Sequence, residues 1–418
     1  MTRVPPTSTS SELAQAVARR SYGKLIAFLA ARSGDVAGAE DALADAFAAA
    51  LADWPERGVP NNPEGWLLTT ARRRQIDAAR RAIHRGKVAD DVALHLEELA
   101  MASTQQHAIP DERLRLMFAC AHPGLDSAVR APLILQTVLG FDAAAIASAF
   151  LVSPAAMSQR LVRAKAKIRQ AGVPFRLPER EELAERLDAV LEAVYAVFAE
   201  GWSDPDGAEA KRRNLASEGI WLGRLLASLM PDEAEALGLL ALMLHAEARR
   251  VARRSPAGDY VPLIEQDTGL WDRQLIDEAE ALLRRAATLG RIGRYQLEAA
   301  LQSAHAVRRA GGKADWPAIV QLYDALVALT ASPVAAINRA VALARMQGTK
   351  AGLAALDVVA DDARLVEYQP YWAARAELLA QAKQMDEARK AYSRAIGLEN
   401  DPTIRRYLQG RLAQMDLN

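Results

Sequence analysis

Cysteine is nearly missing from this chain. Cys120 is the single one in 418 residues, which excludes an intramolecular disulfide and any multi-thiolate metal site. Such usage fits a reducing cytoplasm. An excess of either charge is missing too, because 52 Lys and Arg balance 52 Asp and Glu. A basic field over the whole molecule is therefore absent, and nucleic-acid binding has to come from segregated charge. No charge-free apolar run reaches the ~18 residues that spanning a membrane requires. The N-terminus MTRVPPTSTSSELAQAV lacks the apolar stretch of a secretory signal. A cytoplasmic protein without a membrane partner is expected. Residues 180–418 hold no Gly-rich phosphate loop, no HExxH and no nucleophile triad. No catalytic residue, metal site or cofactor is expected, and an all-α enzyme is the weakest functional reading.

What is present is helical periodicity. Long alternating β-branched runs are lacking, so the expected fold class is all-α. The 51% hydrophobic and 25% charged fractions are those of a globular protein, and the length allows two or three domains at ~150 residues each. The zero net charge splits near Leu177: residues 1–176 carry 22 basic and 17 acidic side chains (net +5), and residues 177–418 carry 30 and 35 (net −5). Two windows concentrate the cations. Residues 71–89 hold Arg72, Arg73, Arg74, Arg80, Arg81, Arg85 and Lys87 against Asp77, and residues 158–176 hold Arg160, Arg163, Lys165, Lys167, Arg169 and Arg176 with no acid. Each window is net +6. Two such windows in one half-chain, both on expected helices, point to nucleic acid.

The pattern predicts helices from Ser11 to about Ala31 and from Val36 to about Trp54, with Ser33-Gly34-Asp35 ending the first and capping the second. Glu40, Asp41 and Asp45 sit near the start of the second helix, where acids suit the helix dipole. Three prolines in 55–63 forbid continuation, and a third helix runs from Glu64 into the first cationic window. Residues 89–110 read as a linker. Four helices follow, Asp111–Ala121, Asp126–Leu139, Asp142–Phe150 and Pro154–Ala171. The last two form a helix-turn-helix pattern, with Ser153 capping and Pro154 at the first position of the second helix. In such a motif the second helix enters the major groove. Ala155, Ser158 and Gln159 would lie toward base edges, while Arg160, Arg163, Lys165 and Lys167 neutralise phosphates; Met157, Leu161, Ala164 and Ile168 form the core-facing stripe.

Taken together, Ala39-Glu40-Asp41-Ala42-Leu43-Ala44-Asp45-Ala46-Phe47, the run from Gly65-Trp66-Leu67 to Gln75-Ile76-Asp77, and the helix-turn-helix resemble an extracytoplasmic-function sigma factor of the sigma-70 type. The resemblance covers about residues 11–175. It implies region 2 over 11–88, a linker over 89–110 and region 4 over 111–175. By that resemblance Glu40, Asp41 and Asp45 would bind the β′ clamp of the RNA polymerase core, with the β flap as a second core contact. Arg72, Arg73, Arg74, Arg80 and Arg81 would hold −10 promoter DNA. Loop 55–63 resembles a base-capturing loop in which Asn61 and Asn62 have suitable donors and acceptors, although Asn-Asn-Pro also reads as a helix-entry cap. Residues 154–169 would read the −35 element.

Residues 180–418 resemble the tetratricopeptide-like extension of one sigma subgroup. Trp372, Ala376, Ala388, Tyr392 and Ala395 fit such a repeat, and Ala340, Gly352, Leu356 and Val359 stand thirty-six residues before the last four of them. Further helices are expected at 181–200, 212–229, 232–254, 272–289, 294–308 and 316–329. An irregular, charge-rich stretch from Arg249 to Arg273 reads either as a loop held by salt bridges or as a ligand or sigma-domain contact site. Cys120 reads as a buried structural thiol. Two functions stay open: a sigma subunit whose extension regulates it, by intramolecular contact with the sigma domains, or a stand-alone helix-turn-helix regulator with a ligand- or partner-sensing helical domain.

Overall fold

A computed structural model describes residues 10–84, 112–150, 152–173, 175–202 and 210–415. Among them are eighteen α-helices and no strand, only an isolated bridge between Arg254 and Tyr260. The all-α expectation holds. The stretch 89–110, expected to be a linker, lies outside the described residues. The chain divides into two units, 1–200 and 201–418, so the helix starting at Arg180 belongs mostly with the first.

The first unit is organised around α1 (Ser10–Ser33). Leu25, Ile26, Ala27, Phe28, Leu29 and Ala30 are all buried, and a helix apolar on every side needs neighbours on every side. These are α2 (Val36–Arg57), α3 (Pro63–His84), α4 (Arg113–Cys120) and α5 (Ser127–Leu139), each packed against α1. Gly23 allows the tightest approach. A Cβ there would stand 2.0 Å from the Val138 carbonyl oxygen of α5. Then come α6 (Ala143–Ala149), α7 (Pro154–Gln170) and α8 (Arg180–Trp202). The cap expected at Ser153 forms, accepting from the Ala156 N–H (3.2 Å), and Asp126 and Asp142 cap their helices too, accepting from Ala128 (2.9 Å) and Ala145 (2.7 Å). Met157, Leu161, Ala164 and Ile168 are the buried stripe of α7.

Two boundaries differ from expectation. Helix α2 runs through Pro55 to Arg57. A proline so near the C-terminus removes one hydrogen bond from an exposed turn, and the Gly58 N–H closes the helix on the Trp54 carbonyl (3.0 Å). Asp35 occupies the cap position of α2, yet its side chain makes no cap bond.

The second unit contains α9 (Ala210–Leu229), α10 (Ala234–Ala248), α11 (Arg273–Thr288), α12 (Arg294–Ala306), α13 (Trp316–Thr330), α14 (Pro333–Gln347), α15 (Thr349–Asp357), α16 (Gln369–Gln381), α17 (Met385–Leu398) and α18 (Pro402–Met415). Buried α10 packs on α9, α11 and α12. The pairs α14–α15 and α16–α17 repeat with an offset of 36 residues. Ala340, Gly352 and Leu356 in the first pair, and Ala376, Ala388 and Tyr392 in the second, are buried at matching positions. A Cβ at Gly352 would come within 2.5 Å of the Ala344 Cβ, so the small residue sets the spacing of that hairpin.

The helix expected over 232–254 stops at Ala248. Four arginines then enter a loop with three short 3-10 turns, fixed by ion pairs from Arg254 to Asp401 (2.8 Å) and from Arg406 to Asp259 (3.3 Å). Asp267 accepts from the Gly269 N–H, and Asp272 caps α11 through Gln274 and Leu275. Trp271 is buried beneath the loop. The ion pairs of the salt-bridged-loop reading are thus formed.

Candidate nucleic-acid interface

Helix α3 begins at an asparagine turn. The Asn62 Oδ1 accepts from the Gly65 N–H (3.0 Å) and its backbone carbonyl from Trp66 (3.1 Å), with Pro63 at the first helical position. Asn62 is thus occupied as a cap, and both it and the neighbouring Asn61 are exposed. Trp66 packs edge-on against buried Trp54, ring centroids 5.7 Å apart, and is a packing residue. Ser21 of α1 donates to Glu64, which ties α3 to α1.

The cations of α3 divide by turn. Arg72 is half-buried, its guanidinium 4.9 Å from the centroid of the Phe28 ring, whose other neighbour is Arg32 at 3.6 Å. Burial, and then the charge of Arg32, lower the Arg72 pKa. Arg73, Arg74 and Arg80 are exposed. The Arg81 side chain lies outside those described. Of the acids on α2, Asp41 and Asp45 are exposed, and Glu40 is not.

Glu40 meets the second cationic window. Its Oε2 lies 2.5 Å from the Lys165 Nζ of α7, and the two side chains are 13% and 10% exposed. Lys165 also donates to the Gln136 Oε1 of α5 (2.9 Å). Burial raises the Glu40 pKa against the opposing pull of Lys165. One turn along α7, Arg169 reaches the Asp35 carboxylate at 3.3 Å, and the Asp35 side chain makes no cap bond to α2. Lys167 donates to the Gly124 carbonyl. The N-terminal half of α7 faces outward: Ala155, Ser158, Gln159, Arg160 and Arg163 are all exposed. Arg160, Arg163 and Lys167 also line an open cavity of about 330 Å³ against the start of α5, with Asp126 on its rim.

Cys120 is fully buried, its Sγ 3.3 Å from the Thr137 hydroxyl, and burial pushes its thiol up to about 12. The imidazole of His122 accepts from the Gly124 N–H (3.0 Å), closing the turn beyond α4. Among the described residues no group of three or more His, Cys, Asp or Glu could hold a metal ion, and no helix is long and apolar enough to cross a membrane.

Residues 17–84, the span of α1 to α3, match the sigma-70 region 2 family. Over 379 residues the chain is 39% identical to an uncharacterized protein of Rhizobium meliloti (strain 1021), covering 90% of this chain and 89% of that one. The chain belongs to that protein's family and carries a sigma-70 region 2 domain. Residues 186–287 match a family of unknown function, DUF6596. No solved structure matches.

Region 2 supports a place in the sigma-70 family and implies core polymerase and promoter DNA as partners. Within its span fall Glu40, Asp41, Asp45, Asn61, Asn62 and the arginines from Arg72 to Arg81. The residues singled out on α7 lie outside both matched families. Sequence reasoning missed Gln136 and Gly23, and gave Asp35 a cap role rather than its pairing with Arg169. Gly23 alone carried a local signal, since a glycine inside a helix costs about 1 kcal/mol relative to alanine and so marks a close approach.

Proposed function

We propose that the chain is a sigma subunit of the extracytoplasmic-function type, which directs core RNA polymerase to specific promoters and helps open the −10 DNA. The match of α1–α3 to sigma-70 region 2 carries this reading. On it, Asp41 and Asp45 present an acidic face of α2 to the β′ clamp, with Glu40 beside them, and Arg73, Arg74 and Arg80 offer exposed cations to promoter phosphates. Asn61, next to the capping Asn62, is the residue available to hold an extruded base. The turn from α6 to α7 acts as a helix-turn-helix of region 4 type. Its Ala155, Ser158 and Gln159 face the −35 bases, with Arg160, Arg163, Lys165 and Lys167 on the phosphates. The helices after residue 180 form a tetratricopeptide-like array that regulates the sigma part. The hairpins repeating at 36 residues support that reading.

The test is run-off transcription with purified core polymerase and the full chain on promoters selected from a random library. A promoter-dependent product that needs Asp41 and Asp45 is expected. DNA binding without any core-dependent transcript would favour a stand-alone regulator instead.

A further inference from the structure

Two surfaces that a sigma subunit has to offer to different partners touch each other in this chain. We propose that the first unit rests in a self-masked state, in which α7 holds Glu40 at the edge of the acidic face of α2 and has to leave before core polymerase can dock on that face. The inference rests on the sigma reading of both helices.

Three independent contacts carry it. The Lys165–Glu40 pair is nearly excluded from solvent, and Gln136 accepts from the same ammonium. Lys165 therefore cannot sit on a DNA phosphate, nor Glu40 on a cationic polymerase surface, while the pair holds. A second pair joins the Asp35 carboxylate, which stands at the cap position of α2 without making a cap bond, to Arg169, 134 residues away in sequence. Beneath these pairs, α1 meets α5 at backbone distance through Gly23, and its apolar run is buried among α2, α3, α4 and α5. Separation would expose part of that apolar surface, so the closed arrangement is favoured without a partner. Each tenfold preference for the closed form weakens apparent polymerase affinity tenfold, because only the open fraction binds.

The masking can be opened and locked without touching Glu40, Asp41 or Asp45. In the full chain, Gly23→Ala places a Cβ against the Val138 carbonyl and wedges α1 from α5. Asp35→Cys with Arg169→Cys, joined by a short bis-maleimide, holds α2 and α7 together; buried Cys120, whose thiol is pushed up to about 12, stays out of that reaction. Binding to purified core polymerase is read by fluorescence anisotropy. We expect roughly tenfold tighter binding for Gly23→Ala and at least tenfold weaker binding for the bridged protein than for the same double variant left unbridged. Equal affinity of the bridged and unbridged forms would overturn the masking while leaving the sigma reading intact. Absence of core binding by every form would overturn both. Should Gly23→Ala fail to fold, the bridged pair decides alone.

Discussion

The two cationic windows carry the same net charge, yet the chain uses them differently. Among the described arginines of α3, Arg72 is folded inward, onto Phe28, while Arg73, Arg74 and Arg80 stand in solvent. On α7 the first half is open, but Lys165, Lys167 and Arg169 each have a protein partner. Charge counted along a sequence measures how many cations a surface has. It does not measure how many are available. Availability is set by what folds against the helix, and for Lys165 that is a carboxylate 125 residues away.

The comparison is broken most directly by removing cations from one window at a time. Replacing Arg73, Arg74 and Arg80 together by Ala should weaken DNA binding on the order of a hundredfold and lower the slope of log K against log salt by about 2 to 3, since each phosphate contact contributes roughly 0.7 to 0.9. Replacing Lys165, Lys167 and Arg169 together should leave that slope nearly unchanged in the free chain. Anisotropy titrations of the full chain against promoter DNA from low to moderate salt measure both. Equal slope losses from the two sets would mean that α7 is as available as α3.

A smaller effect concerns the pair itself. Lys165→Met keeps much of the apolar stem but leaves Glu40 buried without its cation, which should cost about 2 kcal/mol, less than a fully buried pair because both groups keep some solvent contact. The pH dependence has a definite sign. Burial already raises the Glu40 pKa above its unfolded value, and the variant should raise it further. A carboxyl with a raised folded pKa contributes most below its unfolded pKa, and that contribution is lost as pH rises through the folded pKa. The deficit of Lys165→Met should therefore be largest near neutral pH and shrink on acidification. Denaturant unfolding at pH 5 and pH 7.5 checks this, and a deficit that grows on acidification would mean that Glu40 is held ionised by another group.

Much of this arrangement could be read in the sequence, and the rest had physical reasons for staying hidden. Helix identities followed from periodicity, and Asp126, Asp142 and Ser153 marked their helix starts because capping is decided within four residues. The buried stripe of α7 was legible for the same local reason. Pro55 misled, because a proline stops a helix far less effectively in its last exposed turn than in its interior. Four arginines after Ala248 looked like continuing helix because Arg is a good helix former; the chain turned there instead, with Arg254 on Asp401 and Arg250 and Arg253 on the carbonyls of Gly201 and Trp202. The site was only half legible. Acids on α2 and cations on α7 were each assigned an outside partner, and nothing local could show that the two helices meet. The continuous apolar run Leu25–Ala30 held a clue, since one amphipathic face cannot use six consecutive buried positions.

The smallest effect separates two adjacent asparagines. Asn62 accepts from the Gly65 N–H at the entrance of α3, so Asn62→Ala should cost about 1 kcal/mol of stability. Asn61 is exposed, and Asn61→Ala should stay within about 0.5 kcal/mol of the parent. If loop 55–63 captures a base, their functional ranks reverse. Unstacking a base costs a few kcal/mol that the loop has to offset, so losing the Asn61 amide should lower promoter opening, seen as weaker permanganate reactivity of −10 thymines with core polymerase present. Thermal unfolding and permanganate footprinting of both variants therefore form a crossed pair. If Asn61→Ala changes neither, base capture lies elsewhere in the loop, and the asparagine pair serves only to start the helix that carries the exposed arginines.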